Sequence, residues 1–198
     1  MLPDYLRVVR RLTQTFDALH IAYLIGGSVA SSVHGIYRFT NDVDFVVDLK
    51  EDAIAPLVAE LEGEFYIDAA MIQEAIQTAS SFSVLHLPTM VKADCFLRPP
   101  GAWKEEEWAR RRVEQFGSGE EVFAAALAGP EDMILQKLAW YRLGRGVSDR
   151  QWGDVTGMLK VQANTLDYAY LRRWAADQNL TELLQKAYAD AGIADVSA

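Results

Sequence analysis

The chain has 198 residues, of which 51% are hydrophobic and 24% charged, the balance of an ordinary globular protein. Its formal net charge of −9 disfavours sequence-independent binding to nucleic acid, which depends on broad positive surface. Its one cysteine, Cys95, excludes an intrachain disulfide and a cysteine-based metal cage, and its apolar neighbours predict a small buried residue. No stretch reaches the roughly 20 apolar residues of a membrane span, and no signal-peptide pattern opens the chain. We therefore expect a cytoplasmic protein without a membrane partner.

The first predicted elements are a helix, a short strand and a glycine turn. Apolar residues recur at helical spacing over residues 3–20, and Tyr23-Leu24-Ile25 is typical of a buried strand. Gly26-Gly27 ends that strand, and Ser28 has the chemistry of an N-cap for a helix over residues 29–33. This arrangement places backbone N–H groups where they can meet phosphate oxygens, although turns of this kind are structural in most proteins.

The next strand carries two carboxylates that are one residue apart. In a strand over residues 43–49, Asp42 and Asp44 point to one face, while the alternate residues Val43 and Phe45 point into a core. Two like charges on one face repel each other, and a divalent cation with oxygen ligands is the natural partner.

The middle of the chain alternates between helices and strands. Helices are predicted over residues 52–61 and 69–79, a short strand over 65–67, and a hairpin with strands 82–87 and 91–97. Strands interleaved with helices predict an α+β fold with a small mixed sheet.

Asp94 is an acid within the apolar, β-prone strand over residues 91–97. A charge in such a strand is costly unless it is paired or bound to a metal. One interpretation places Asp94 at a solvent-facing position, paired with Lys92. Because Asp42 and Asp44 lie upstream, the favoured interpretation is a third carboxylate on a neighbouring strand. Three such acids suit one or two Mg²⁺ ions, and with a phosphate-holding turn they favour nucleotidyl or phosphoryl transfer over hydrolysis at carbon.

The composition shifts from strands to helices after residue 101. A helix is predicted over residues 103–116, an edge strand over 122–126, and a helix from Pro130, which is a preferred first helical residue. Further helices are predicted from about residue 148, over 166–177 and over 181–191. On one of them Arg150 and Asp154 are four residues apart, the spacing of a surface ion pair. These patterns predict a core domain, 1–127, and a C-terminal helical subdomain, 128–198.

Several of these motifs together resemble the polymerase-β-type nucleotidyltransferase superfamily. The residues concerned are Gly26-Gly27-Ser28, Arg38-Phe39-Thr40-Asn41-Asp42-Val43-Asp44, Asp94, Pro130-Glu131-Asp132, Lys137, Asp149-Arg150 and Asp154. In particular the chain is similar to the AbiEii/MenT-like bacterial nucleotidyltransferases, which include toxins of toxin–antitoxin pairs. The likeness covers roughly residues 22–160. The usual turn of the superfamily is Gly-Ser, whereas this chain has Gly-Gly-Ser-Val-Ala. This departure leaves the choice of nucleotide open.

The resemblance implies a role for each matching residue. Gly26, Gly27 and Ser28 would contact the nucleotide phosphates. Asp42 and Asp44 would hold Mg²⁺, and Asp94 would serve the acceptor hydroxyl as general base or metal ligand. Lys137, which would be catalytic together with the three acids, would reach the triphosphate, and Asp154 would complete the nucleotide site.

We therefore expect an Mg²⁺-dependent nucleotidyltransferase that moves an NMP from an NTP, such as ATP, to a hydroxyl acceptor. tRNA, a protein side chain and a small molecule all stay open as acceptors, and the resemblance implies a toxin with an antitoxin partner. Two alternatives remain. One is a non-catalytic nucleotide-binding or regulatory module that keeps the fold. The other is an α/β protein in which Asp42 and Asp44 only cap and pair.

Overall fold

A computed structural model describes residues 2–193 of the chain. The domains expected from the sequence, 1–127 and 128–198, extend to Met1 and to residues 194–198, which lie outside the described residues. The chain forms two compact units. The first comprises residues 2–29 and 39–127, and the second comprises residues 30–38 and 128–193.

The described residues contain seven strands and nine α-helices. The strands are β1 Ala22–Ile25, β2 Asp42–Asp48, β3 Phe65–Tyr66, β4 Ser81–His86, β5 Val91–Leu97, β6 Arg112–Phe116 and β7 Phe123–Leu127. The helices are α1 Asp4–Ala18, α2 Gly27–His34, α3 Ile54–Leu61, α4 Ala69–Thr78, α5 Ala102–Arg110, α6 Pro130–Leu143, α7 Asp149–Gln162, α8 Tyr168–Asp177 and α9 Thr181–Ala191. Short 3-10 helices occupy Glu51–Ala53 and Gly119–Glu121. Of the helices within residues 2–193, none combines the length and apolar character that crossing a bilayer requires.

All seven strands described belong to the first unit and form one sheet, in the order β3-β4-β5-β2-β1-β7-β6. The pairs β2/β5 and β1/β7 are parallel, and the other neighbouring pairs are antiparallel. The sheet is therefore mixed, and the predicted α+β fold with a C-terminal helical part is confirmed.

The core of the first unit lies on one face of this sheet. Val43 and Phe45 are fully buried, as the alternation along β2 predicts, and the Phe16 ring of α1 packs edge-on against Phe45 at a centroid distance of 5.4 Å. Each buried aromatic or aliphatic side chain stabilises the fold by about 1.5–3 kcal/mol. Cys95 lies in the same core, and burial raises the pKa of its thiol well above the usual range. The acids Asp42 and Asp44 therefore project from the opposite face.

Residues 30–38 belong to the second unit because they pack against its helices. The His34 Nε2 atom lies 2.8 Å from the carbonyl oxygen of Ala128, and Gln162 Nε2 donates to the His34 carbonyl at 3.0 Å. A side chain at Gly35 would approach Met158 Cγ to 2.9 Å, so the backbone runs directly against α7.

Three local predictions are wrong. The helix expected over residues 103–116 ends at Arg110, because Arg111 is extended and the following residues pair with β7 as β6. The last predicted strand is not an edge strand, since β7 lies between β1 and β6. Ser28 is not an N-cap, because α2 begins one residue earlier, at Gly27.

Candidate functional site

The glycine turn after β1 lies directly against Asp44. The Gly26 N–H donates to the Asp44 carbonyl at 2.9 Å, which ties the turn to β2. Gly27 has φ +54°, and a side chain there would overlap the Asp44 carboxylate. The turn therefore needs glycine for both conformation and space. It sets the Asp44 carboxylate beside the N-terminal end of α2, where the partial positive charge of a helix favours anions.

The pairing of β2 with β5 brings the three predicted acids onto one face of the sheet. Asp42 lies opposite Lys92, and Asp44 lies opposite Asp94. Neighbouring strands are about 4.8 Å apart, and residues two apart in a strand share a face. Thr40 defines the start of β2, because its hydroxyl accepts from the Asp42 N–H at 3.2 Å and donates to the Asp42 carbonyl at 2.9 Å.

Asp94 has two partners on this face. Lys92 Nζ lies 2.8 Å from Asp94 Oδ2, and the Ser83 hydroxyl of β4 donates to Asp94 Oδ1 at 2.5 Å. The hydrogen bond to Asp94, followed by the charges of Asp94, Asp42 and Asp44, raises the pKa of Lys92, and partial burial opposes them. Asp94 is thus paired with Lys92 and lies in register with Asp44 on the neighbouring strand. We call Asp42, Asp44, Ser83, Lys92 and Asp94 the carboxylate face.

The donor atoms of the carboxylate face suit a divalent metal only in part. Two acids of one strand, Asp42 and Asp44, have the oxygen chemistry that Mg²⁺ prefers. Asp94 differs, because each of its oxygens already accepts a hydrogen bond, one from Lys92 and one from Ser83. Among residues 2–193, no three His, Cys, Asp or Glu side chains are grouped so that they could hold a metal ion. The metal roles expected for Asp42, Asp44 and Asp94 stay predictions.

The second unit brings together the two remaining predicted residues, Lys137 of α6 and Asp154 of α7. Lys137 Nζ lies 2.7 Å from Asp154 Oδ2 and donates to Gln151 Oε1 at 3.0 Å. Arg38 donates to the two oxygens of Asp154, from Nε at 3.1 Å and from Nη2 at 3.3 Å. We call Arg38, Lys137, Gln151 and Asp154 the Asp154 cluster.

The Asp154 cluster is a buried site with an excess of positive charge. Lys137 and Asp154 have side chains that are only 6% and 8% exposed. Burial lowers the pKa of Lys137, and the hydrogen bond and charge of Asp154 oppose that effect. Two cations share one carboxylate, so the cluster can attract phosphate oxygens. The spacing of Arg150 and Asp154 suggests a surface ion pair between them. Instead, Asp154 bonds to Lys137 and Arg38.

Four residues of these groups were not assigned a site role from the sequence: Arg38, Ser83, Lys92 and Gln151. Ser83 carries no sequence signal, because only the strand register places it beside Asp94. Lys92 is two residues before Asp94, and the alternation of a strand is the signal that puts both on one face. Arg38 stands inside the motif that ends in Asp42 and Asp44, but its partner is 116 residues away in the chain.

Comparisons with known proteins bear on the fold. No protein-family model matches the chain, and no curated protein matches it. Among solved structures, the chain is similar to an antigenic nucleotidyltransferase-like protein from Paracoccidioides brasiliensis, with a TM-score of 0.53, 15% identity and 91% of each chain covered. The fold is nucleotidyltransferase-like. The chain also matches the antibiotic-resistance factor ANT(2'')-Ia, with a TM-score of 0.46 and 14% identity over 93% of this chain and 92% of that one.

Proposed function

We propose that the chain is an Mg²⁺-dependent nucleotidyltransferase that transfers an NMP from an NTP to a hydroxyl acceptor. One observation carries the proposal. Asp42, Asp44 and Asp94 share one face of two neighbouring strands, with Asp44 in register with Asp94 and the glycine turn against Asp44. The nucleotidyltransferase-like fold supports the same conclusion.

In the proposed reaction, the acceptor oxygen bonds to the α-phosphorus, the bond between that phosphorus and the oxygen bridging to the β-phosphate breaks, and pyrophosphate leaves. Asp42 and Asp44 would hold Mg²⁺, which supplies charge neutralisation at the phosphate oxygens when bound. Asp94 would take the proton of the acceptor hydroxyl, because each carboxylate oxygen keeps a lone pair beyond its present hydrogen bond. The N–H groups at the glycine turn and Ser28 would contact phosphate oxygens.

The Asp154 cluster would contribute charge for the triphosphate. Lys137 and Arg38 would bind phosphate oxygens, and Asp154 would fix the direction of both cations. Such fixed positive groups stabilise charge that develops in phosphoryl transfer. Arg38 is therefore a proposed phosphate-binding residue, in addition to the site residues that the resemblance implies.

The acceptor and the biological setting belong to the same proposal. By resemblance to the AbiEii/MenT-like proteins, we take tRNA as the first acceptor to test, followed by protein, and a toxin with an antitoxin partner as the setting. A net charge of −9 means that an RNA acceptor would have to be held by local contacts.

The test is transfer of label from each of the four α-labelled NTPs, with Mg²⁺, to total RNA and total protein. We expect Asp44→Asn to reduce labelling at least about 100-fold, because it removes a charged metal ligand. Asp48→Asn is the matched control. Asp48 is an exposed acid on the same face of β2, about 13 Å along the strand, so its loss should leave labelling unchanged. Labelling that survives Asp44→Asn would contradict the proposal.

A non-catalytic nucleotide-binding module is the second candidate. It is favoured by the engagement of both Asp94 oxygens, because Lys92 and Ser83 compete with a metal or an acceptor hydroxyl for the same carboxylate. Calorimetry separates the two, because a module that binds an NTP without Mg²⁺-dependent transfer would show heat of binding and no labelled product.

A further inference from the structure

The ammonium group of Lys92 stands among the acids of the carboxylate face. Its strand position is directly opposite Asp42, and its Nζ atom lies 2.8 Å from Asp94 Oδ2. At that distance it forms a charge-assisted hydrogen bond, the strong class of such bonds. The Lys92 side chain is 45% exposed and the Asp94 side chain 21% exposed, so water and ions reach the pair from outside.

The second oxygen of Asp94 is held as well. The Ser83 hydroxyl donates to Oδ1 at 2.5 Å, from the residue directly opposite Asp94 on β4. With one partner on each oxygen, the carboxylate is fixed in rotation by two different strands. A cation that approached Asp94 would meet the positive charge of Lys92 Nζ, 2.8 Å from Oδ2, and would have to compete with it for the carboxylate.

The charges of this face agree with a single divalent ion. The formal charges of three carboxylates and one ammonium sum to −2, which one divalent cation neutralises. If Lys92 were absent, the formal charge of the three acids would be −3, which is more than one divalent cation neutralises.

We propose that Lys92 is the resident cation of the carboxylate face, which keeps Asp94 out of metal coordination and limits the chain to one divalent ion, held by Asp42 and Asp44. This inference rests on the proposed function, since it takes the metal ligands from it. Lys92 is a positioning residue, because it acts through Asp94. Asp94 is then available to the acceptor hydroxyl alone.

The experiment counts bound Mn²⁺ by loss of the free-ion EPR signal, with the full chain and Mn²⁺ alone as the probe. We expect one ion per chain for the wild type and two for Lys92→Met, because Asp94 becomes available. Adding Asp94→Asn to Lys92→Met should return the count to one. The conservative variant Lys92→Arg should keep one ion, as should Lys50→Met, the matched control at an exposed lysine beyond the end of β2.

Two ions on the wild type, or one ion on a folded Lys92→Met chain, would overturn the inference. If Lys92→Met does not fold by circular dichroism, the wild-type and Lys92→Arg counts decide, because two ions on either contradict a resident cation. The labelling assay keeps the two proposals apart. If the wild type transfers NMP but binds two ions, only the role of Lys92 is rejected. If the wild type binds one ion, Lys92→Met binds two, and no NMP is transferred, only the activity is rejected.

Discussion

Gly27 is the residue on which the position of Asp44 most directly depends. Its φ of +54° is unfavourable for residues with a side chain, and an added Cβ would overlap the Asp44 carboxylate. We predict that Gly27→Ala lowers the free energy of unfolding by about 2 kcal/mol and moves Asp44 away from the turn. NMP transfer and Mn²⁺ binding should therefore both fall, as measured by labelling and by EPR.

The neighbouring glycine is the control for this prediction. A Cβ on Gly26 would meet no atom within 4 Å, and Gly26 does not have a positive φ. Gly26→Ala should therefore change the free energy of unfolding by less than about 1 kcal/mol and leave Mn²⁺ binding intact. Equal losses in the two variants would contradict the role given to Gly27.

Residue type and spacing were enough to find the acids of the candidate site, but not their partners. Two acids one residue apart share a strand face, so Asp42 and Asp44 could be assigned together. Ser83 could not be found, because a serine in a strand has no distinctive pattern and only the β4/β5 register aligns it with Asp94. Arg38 was visible in its motif, yet its bond to Asp154 depends on tertiary packing.

Helix α7 presents Asp154 to two cations, and this contact can be tested by stability. Removing the carboxylate charge would leave Arg38 and Lys137 close together, with Lys137 buried. We predict that Asp154→Asn lowers the free energy of unfolding by about 3 kcal/mol, the scale for breaking a buried ion pair. A urea titration followed by circular dichroism measures it.

Two further variants test the explanation. Asp149→Asn changes an exposed acid in the first turn of the same helix and should cost less than about 1 kcal/mol. Lys137→Met should cost less than Asp154→Asn, because Asp154 keeps Arg38 and the burial of an ammonium group is relieved. If Asp154→Asn were no more damaging than Asp149→Asn, the cluster would have no structural role.

Among the secondary-structure elements, a specific local signal predicts the structure correctly, whereas general composition does not. Proline at the first position predicted the start of α6, and α6 begins at Pro130. The charged composition of residues 103–116 predicts one helix, but residues 112–116 form β6 through pairing with β7. That pairing is a contact between segments, so helical propensity in the preceding residues could not indicate it.

The chain passes between its two units at three places, near residues 29, 38 and 127. Sequence reasoning placed one boundary near residue 127, where strands give way to helices, but nothing in the composition marks residues 30–38. Their membership follows from long-range packing, such as the Gln162 bond to the His34 carbonyl. One cut therefore cannot separate the units.

This connectivity predicts how fragments of the chain behave. The fragment 128–198 lacks the bond of His34 to Ala128 and the bond of Arg38 to Asp154. Small helical units are only marginally stable, so we expect this fragment to unfold without a cooperative transition. Residues 27–38 joined to it by a flexible linker should restore a cooperative thermal transition in circular dichroism, and the same linker carrying a scrambled 27–38 sequence should not. Cooperative unfolding of 128–198 alone would mean that the helices form a stable unit without residues 30–38.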